Sequence, residues 1–254
     1  GLRCFRCEFI GPVTVLFPTI PVGGVRELWT VRGATPLPLP PEALPLDAIP
    51  IVDLPSDHLI RRYLAQRGFT EIGPDLLFSY NYQRRGEEEE DRMFSYGPRI
   101  IFPIWCNGTY RGFQARAYGT RLPKYVSARH FEKTAALYNW DNVLAGLDLV
   151  IVEGIFDAYA FGLQQVVAAF GKEISPVQRQ LIFSRSFSRI IFLFDDDALF
   201  YAQRAARQLS QYRANVYYGI LSSAKDPGEM NQYTLEHFIN QSHSPWRTQG
   251  LQKA

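Results

Sequence analysis

Two short apolar runs, each ending abruptly in acidic residues, dominate the hydrophobic pattern of this chain. The first starts at Leu147 and ends at Glu153, and the second, Ile190–Phe194, is followed at once by Asp195–Asp197. Short runs of β-branched and other apolar residues with polar boundaries are typical of strands buried on both faces. In open α/β sheets, functional groups lie just beyond the carboxyl ends of such strands. The pattern therefore predicts that these carboxylates gather at one sheet edge if the two strands are neighbours.

The pattern around these two runs alternates between helices and strands. Helices are predicted at 158–165, 175–183, 199–212 and 230–239, and further strands at 166–170 and 214–220. The helix at 199–212 places Ala202, Ala205, Ala206 and Leu209 on its inward face. Such alternation indicates a parallel sheet with right-handed crossovers. Residues 147–240 are therefore expected to form an α/β domain, followed by a tail at 241–254.

The preceding region, residues 56–146, has the pattern of an α+β subdomain. Helices are predicted after the capping residues Ser56 and Asp57, and again at Pro74–Phe78. Asn107-Gly108 separates two apolar and aromatic runs, which is a strong signal for a β-hairpin.

Basic residues recur in this subdomain among tyrosines and phenylalanines, and the candidates for ligand binding are Arg111, Arg116, Lys124 and Lys133. Alternation along the second hairpin strand places Arg111 at a position that faces away from the core, and an outward position is also expected for Arg116. Cations interleaved with aromatic side chains suit a groove that follows a phosphate backbone and stacks bases. A basic solvent-facing sheet surface explains the pattern equally well, so both interpretations remain open.

The N-terminal residues 1–12 contain a CxxC pair, Cys4 and Cys7, which supplies half of a tetrahedral zinc site. No second CxxC or CxxH follows. A vestigial knuckle with reduced thiols is therefore favoured over an intact site, and Zn²⁺ is expected only if the ribbon is completed outside this chain. Residues 13–55 combine short strand signals with proline clusters, which indicate a semi-rigid linker. A proline-rich ligand for a partner is the less favoured alternative.

Composition narrows the class of protein only slightly. The chain has 254 residues, 46% hydrophobic content and a formal net charge of +2, which is ordinary for a globular protein and does not by itself indicate a nucleic-acid binder. Three cysteines indicate a reducing compartment rather than a disulfide scaffold. No run predicts a membrane span or a signal peptide. Because the chain begins at Gly1 without a Met, a fragment or a processed form is expected.

Carboxylates that converge at one sheet edge repel one another unless a cation neutralises them. Mg²⁺ or Mn²⁺ is the simplest ion for a cluster of oxygen ligands, and Asp195 and Asp197 are expected to share it because they lie two positions apart. A helix N-terminus that favours anions explains one of these acids but not the set. Asp157, one turn after Glu153, fits a helix cap and a site residue equally well. Asp226, before a proline, also fits a turn.

Four segments together resemble the TOPRIM domain of bacterial and phage DNA primases of the DnaG type: Glu153-Gly154-Ile155-Phe156-Asp157, Ala169-Phe170-Gly171, Asp195-Asp196-Asp197 and Lys225-Asp226-Pro227. The block from Arg99 through Gly112-Phe113-Gln114-Ala115-Arg116 to Pro123-Lys124-Tyr125 resembles the basic half of the primase polymerase domain. Leu2–Cys7 resembles the second half of that family's zinc ribbon. The acidic motifs alone are shared with topoisomerases and some nucleases, but the combination is specific.

The resemblance implies an α/β fold: a TOPRIM-type parallel sheet flanked by helices, preceded by a basic α+β subdomain and a partial zinc-ribbon knuckle. It implies template-directed synthesis of short RNA primers on single-stranded DNA from ribonucleoside triphosphates, with two Mg²⁺ or Mn²⁺ ions. The positions that it assigns are Glu153, Asp195, Asp197 and Asp226 for metal binding or proton transfer, and Arg116, Lys124 and Lys133 for template and nucleotide.

The resemblance also implies a phage primase in the cytoplasm of a bacterial host, with no membrane partner and with any replicative helicase bound through regions outside this chain. Three positions depart from the family pattern: Asp196 and Phe200 stand where glycines are usual, and Gly228 stands where an acid is usual. Two other classes stay open. One is a TOPRIM nuclease or topoisomerase, and the other is a non-catalytic DNA-binding module similar to recombination mediators.

Overall fold

The computed structural model describes residues 2–3, 10–11, 39–69, 72–86, 93–220, 239–240 and 242–245. The chain divides into two units, residues 1–39 and 40–254. In the first unit, strands β1 (Leu2–Arg3) and β2 (Ile10–Gly11) pair antiparallel. The predicted zinc ligands Cys4 and Cys7, most of the linker, Asp226 and all but the last residue of the predicted helix at 230–239 lie outside the described residues.

The second unit begins with an antiparallel sheet. Its strands, adjacent in chain order, are β3 (Ile49–Pro50), β4 (Leu77–Arg85), β5 (Met93–Cys106), β6 (Thr109–Ala117) and β7 (Tyr125–Ser127). The hairpin predicted at Asn107-Gly108 joins β5 and β6, and both turn residues have the positive φ that such a turn requires, 55° and 67°. The Asp141 carboxylate accepts hydrogen bonds from both turn amides, at 2.6 Å and 2.9 Å, which fixes the hairpin end.

The first helix of the second unit, α1 (Leu59–Gln66), begins later than its capping signal indicates. Its cap is His58, whose Nδ1 accepts a hydrogen bond from the Ile60 N–H at 3.3 Å, rather than Ser56 or Asp57. Ile60 and Leu64 form its buried face, as the apolar stripe predicts.

The prediction of a helix at Pro74–Phe78 is wrong, because the structure has a turn and the start of a strand there. Residues 74–75 form a turn, and Leu77 and Phe78 begin β4, where they lie opposite Ile101 and Ile100 of β5. Pairing with a long neighbouring strand supplies these residues with backbone partners that a helix of one turn would not have.

The second sheet is parallel and lies downstream in the chain. Its strands are β8 (Leu149–Val152), β9 (Val166–Ala168), β10 (Ile190–Phe194) and β11 (Val216–Ile220), in spatial order β11-β10-β8-β9. All residues of β8, β9 and β10 are buried, because the sheet is covered on both faces.

Within the described residues 149–220, three helices flank this sheet: α2 (Ile155–Ala160), α3 (Pro176–Phe183) and α4 (Leu199–Ser210). α2 packs against β8 and β9, and α4 packs against β10 and β11. The predicted inward residues of α4, namely Ala202, Ala205, Ala206 and Leu209, are buried. The structure therefore confirms the predicted α/β class, with a parallel sheet and helices preceded by an α+β part.

The two sheets share one hydrophobic core. Phe102 of β5 meets Phe156 and Tyr159 of α2, with ring centroids 5.6 Å and 5.8 Å apart. This contact holds the antiparallel sheet against the start of α2, directly after the first carboxylate strand. Within the described part of the chain, none of the helices has both the length and the apolar character needed to cross a bilayer.

Candidate active site

The carboxylates of Glu153, Asp195 and Asp197 meet at the carboxyl ends of β8 and β10. Because these strands are neighbours, Glu153 and Asp195 leave the sheet side by side, and the Asp195 N–H donates to Glu153 Oε1 at 3.1 Å. A short 3-10 turn, Asp196–Ala198, then carries Asp197 to the same place. One carboxylate oxygen from each acid lies within 4.8 Å of the other two. These three residues form the acidic triad.

Two further acids at this edge have different surroundings. Asp196 is exposed and lies outside the triad. Asp157 Oδ2 accepts a hydrogen bond from the Gly154 N–H at 2.9 Å, so it caps the first turn of α2. Because Asp157 also lines the cleft described below, the capping contact does not remove it from the site.

The electrostatics of the triad centre on Glu153. Partial burial raises the pKa of the Glu153 carboxyl, and the negative charges of Asp195 and Asp197 raise it further, while the Asp195 N–H and Lys172 act in the opposite direction. The site thus holds several negative charges at a half-buried place, and a cation stabilises such an arrangement.

Lys172 supplies a cation that the sequence analysis missed. Its Nζ lies 2.6 Å from Asp197 Oδ2, and this hydrogen bond raises the pKa of the Lys172 ammonium. Lys172 follows β9, a third parallel strand that ends at the same sheet edge. The strand-end rule that identifies Glu153 and Asp195 applies equally to Gly171-Lys172 and is the sequence signal for this lysine.

The donor set of the triad fits a hard divalent cation. Three carboxylates within reach of one another offer only oxygen ligands, which Mg²⁺ and Mn²⁺ prefer over softer donors. Asp195 and Asp197 come together as predicted, although Asp197 reaches the triad from a 3-10 turn and not from an extended strand.

A cleft of about 550 Å³ lies between Glu153 and Asp195 of the triad and the antiparallel sheet. On the side of the parallel sheet it is lined by Glu153, Gly154, Phe156, Asp157, Phe170, Gly171 and Asp195. On the opposite side it is lined by Arg67, Gln114, Arg116, Lys124, Tyr125 and Lys133. An acidic wall therefore faces a basic and aromatic wall across one cavity. Arg67, Gln114 and Tyr125 are members of this basic wall that sequence reasoning did not assign.

Arg116 is the most strongly fixed cation of the basic wall. It is only 6% exposed, and its guanidinium carbon lies 3.8 Å from the ring centroid of Phe156 and 4.8 Å from that of Tyr125. It also donates a hydrogen bond to the Tyr125 hydroxyl, whereas its Nε has no hydrogen-bond partner among the described residues. The prediction that Arg116 faces away from the core is wrong in one respect, because α2 covers this face of β6 and buries the side chain.

The structure separates the remaining predicted cations. Lys124 and Lys133 line the cleft with Arg116. Arg111 is exposed near the hairpin end of β6 and is not among the residues that line the cleft. The three predicted cations in the cleft are thus Arg116, Lys124 and Lys133.

Fold and site together define a class of α/β protein in which an acidic triad at a parallel sheet edge faces a basic cleft wall. A solved DnaG primase catalytic domain bound to single-stranded DNA shares this fold, with a TM-score of 0.60 and 19% identity over 76% of this chain and 77% of that chain. The primase of Aquifex aeolicus (zinc-binding and RNA polymerase domains) gives a TM-score of 0.54 at 19% identity, over 74% and 57% of the two chains.

The catalytic core of the Escherichia coli primase gives a TM-score of 0.51 at 20% identity, over 74% of this chain and 62% of that chain. This chain thus spans less than two thirds of the length of the Aquifex and Escherichia structures. No protein-family model and no curated protein matches it. The particular fold is therefore that of the DnaG-type primase catalytic core.

Proposed function

We propose that this chain is a DnaG-type DNA primase that makes short RNA primers on single-stranded DNA from ribonucleoside triphosphates. The observation that carries the proposal is the acidic triad, two of whose members, Glu153 and Asp195, line one cleft with Arg116, Lys124 and Lys133. The fold is shared with primase catalytic domains. Anionic substrates and divalent cations both have complementary groups in this cleft.

The proposed reaction is nucleotidyl transfer. The 3′-hydroxyl oxygen of one ribonucleotide forms a bond to the α-phosphorus of the next triphosphate, the bond to the β-phosphate oxygen breaks, and pyrophosphate leaves with the negative charge. Glu153, Asp195 and Asp197 would hold divalent cations, with Asp226 proposed as a further acid nearby. Mg²⁺ or Mn²⁺ held by these residues would supply activation of the hydroxyl and charge neutralisation at the leaving group. In this proposal Glu153 either shares a cation or accepts the hydroxyl proton.

The basic wall has two tasks in the proposed reaction. Arg116 is held between the rings of Phe156 and Tyr125, so its charge is fixed before a substrate arrives and little conformational freedom is lost on binding. Lys124 and Lys133 neutralise phosphates of template and nucleotide. The Tyr125 ring lines the cleft, and in this proposal a base of the template or nucleotide stacks on it.

The proposed primase also has partners other than its nucleotides. Single-stranded DNA is the proposed template, and one of the structural neighbours is a primase domain bound to it. Any replicative helicase would bind through regions outside this chain. Zn²⁺ would bind Cys4 and Cys7 only if other residues complete the ribbon.

The test is de novo primer synthesis on single-stranded DNA with labelled ribonucleotides and Mg²⁺ or Mn²⁺. Wild-type protein should give short labelled RNA, and Glu153→Gln and Asp195→Asn should lower the rate by roughly 10²-fold or more, as the loss of an electrostatic group at a reaction centre does. Asp196→Asn is the matched control, because Asp196 is an exposed neighbour outside the triad, and it should retain most of the activity.

The same assay separates the other classes of protein. Cleavage of the DNA without RNA synthesis would favour a TOPRIM nuclease. A non-catalytic binding module would be favoured by two results together: wild type makes no RNA, and both triad variants still bind DNA. Either outcome would overturn the primase proposal.

A further inference from the structure

Lys172 places a positive charge on the acidic triad itself. Its Nζ lies 2.6 Å from Asp197 Oδ2, and the two side chains are 37% and 75% exposed. Most exposed ion pairs contribute little, but this one joins a lysine to an acid that is a candidate metal ligand. The contact therefore bears on how many cations the triad can accept.

The backbone around Lys172 is anchored to the strand that carries Glu153. The Ala169 N–H donates to the Val152 carbonyl at 2.9 Å, and the Gly171 N–H donates to the Glu153 carbonyl at 3.1 Å. Gln178 Nε2 donates to the Ala169 carbonyl at 3.0 Å. These hydrogen bonds fix the backbone of the turn that precedes Lys172. The position of the Lys172 backbone relative to Glu153 is therefore set by the fold.

Charge complementarity indicates what this lysine does. Among the described residues, the acids whose charges act on the Lys172 ammonium are the three members of the triad. They carry three negative charges when ionised, and one divalent cation together with this ammonium supplies three positive charges. Two divalent cations beside the ammonium would supply five positive charges, and like charges at such short separations repel one another. One ion and the lysine match the triad better than two ions and the lysine.

We propose that Lys172 is a tethered cation that takes the place of one divalent ion, so that the free protein binds a single Mg²⁺ or Mn²⁺ at the acidic triad. This inference rests on the proposed function, since it concerns the ion requirement of the same site. It differs from the two-ion arrangement that the sequence resemblance implies.

The test is calorimetric titration of the full chain with Mn²⁺ alone. Wild type should bind one ion, and Lys172→Met, which removes the charge and keeps much of the length, should bind two. Lys172→Arg keeps the charge and should bind one. Arg204→Met is the matched control, because Arg204 lines the neighbouring cavity with Lys172 and pairs with Glu173 at 3.7 Å, not with the triad. It should also bind one ion.

A second measurement keeps the inference open to refutation. The Mn²⁺ dependence of primer synthesis should be hyperbolic for wild type and sigmoidal, with a Hill coefficient approaching two, for Lys172→Met. Thermal unfolding of each variant checks that it is folded. Two ions in wild type, or the same stoichiometry in wild type and Lys172→Met, would overturn the inference even if wild type makes primers. Absence of both Mn²⁺ binding and primer synthesis in wild type would instead overturn the proposed function together with the inference.

Discussion

At the scale of single residues, Glu153 shows how a functional site opposes stability. Its pKa is raised by burial and by two neighbouring carboxylates. The folded state therefore favours the protonated form, and this favourable contribution is lost as the pH rises from the ordinary glutamate range through the raised pKa. At neutral pH, which lies above the ordinary glutamate range, the raised pKa of Glu153 therefore lowers the stability of the fold in the absence of a cation.

Glu153→Gln should accordingly stabilise the metal-free protein at pH 7. The glutamine carbonyl can still accept from the Asp195 N–H, while the charge is removed. We expect a rise in Tm of roughly 2–4 °C, the shift that about 1 kcal/mol gives in a domain of this size. The gain should shrink towards zero below about pH 4, where glutamate is protonated in the unfolded chain as well. Thermal unfolding followed by circular dichroism in EDTA, over a range of pH, measures both effects.

A matched control for this prediction is Glu173→Gln. Glu173 is exposed, lies outside the triad and has Arg204 as its partner at 3.7 Å, so its Tm should change by less than the Tm of Glu153→Gln. Added Mn²⁺ should raise the Tm of wild type and of Glu173→Gln but raise that of Glu153→Gln less. An unchanged or lowered Tm for Glu153→Gln in EDTA would contradict the electrostatic account.

The residue scale also shows what the sequence could reveal of the site. Glu153 and Asp195 were predictable, because the strands that they follow are short, apolar and abruptly ended. The burial of Arg116 was not, since it depends on α2, which covers a strand face that alternation alone assigns to solvent. The Lys172–Asp197 pair requires the spatial order of β9, β8 and β10, which the chain order does not give.

At the scale of elements, Gln178 joins three segments around the site. It is 1% exposed and lies in the first turn of α3, where Ser175 caps the helix by accepting from the Gln178 N–H at 3.0 Å. Its Nε2 lies 3.1 Å, 2.9 Å and 3.0 Å from the carbonyl oxygens of Lys133, Ala136 and Ala169. One side chain thus connects α3, the segment that carries Lys133 and the turn before Lys172.

Gln178→Met should destabilise the protein by about 2–4 kcal/mol, because buried carbonyl groups lose their donor and each unsatisfied group costs about 1–3 kcal/mol. Urea denaturation measures the loss as a lower midpoint with an unchanged slope. Gln180→Met, at an exposed position of the same helix, should change the free energy of unfolding by less than about 0.5 kcal/mol. Equal effects of the two substitutions would refute the bridging role of Gln178.

Elements differ in how far local sequence determines them. The β5–β6 hairpin and the α3 cap were predictable, because Asn107-Gly108 and Ser175-Pro176 act through their own backbone geometry. The strand at Leu77–Phe78 was not, because its partners in β5 lie more than a dozen residues away. α2 ends at Ala160, short of the predicted 165, and Gly162, with a φ of +75°, lies in the turn that follows.

At the scale of the whole molecule, the small net charge gives no indication of the cations that are grouped on the basic wall. The formal charge is only +2, yet Arg67, Arg116, Lys124 and Lys133 line one side of a single cleft. Glu153, Asp157 and Asp195 on the opposite wall, together with acids elsewhere in the sequence, offset these cations in the total charge but leave them grouped on one wall. Binding of a polyanion should therefore depend on these few positions.

Affinity for single-stranded DNA should fall with salt at a slope of about −2 to −3 in log K against log salt, because each phosphate contact contributes about −0.7. Lys124→Met should reduce the magnitude of the slope by about 0.7. Fluorescence anisotropy of a labelled oligothymidylate at several salt concentrations measures both slopes. Arg207→Met, an exposed position on α4 away from the cleft lining, should leave the slope unchanged. A similar change of slope in both variants would point to diffuse attraction instead of a defined groove.

The spatial order of the parallel sheet also has a consequence in time. β8 lies between β9 and β10, but a ribosome delivers β9 long before β10, since chains emerge from their N-terminus. Until Ile190–Phe194 has emerged, Glu153 has no Asp195 beside it, and the repulsion between these acids cannot oppose the pairing of β8 with β9. The proposed cation site is complete only after β10 has emerged. A divalent cation bound there would therefore stabilise the finished sheet but could not direct the first steps of its assembly.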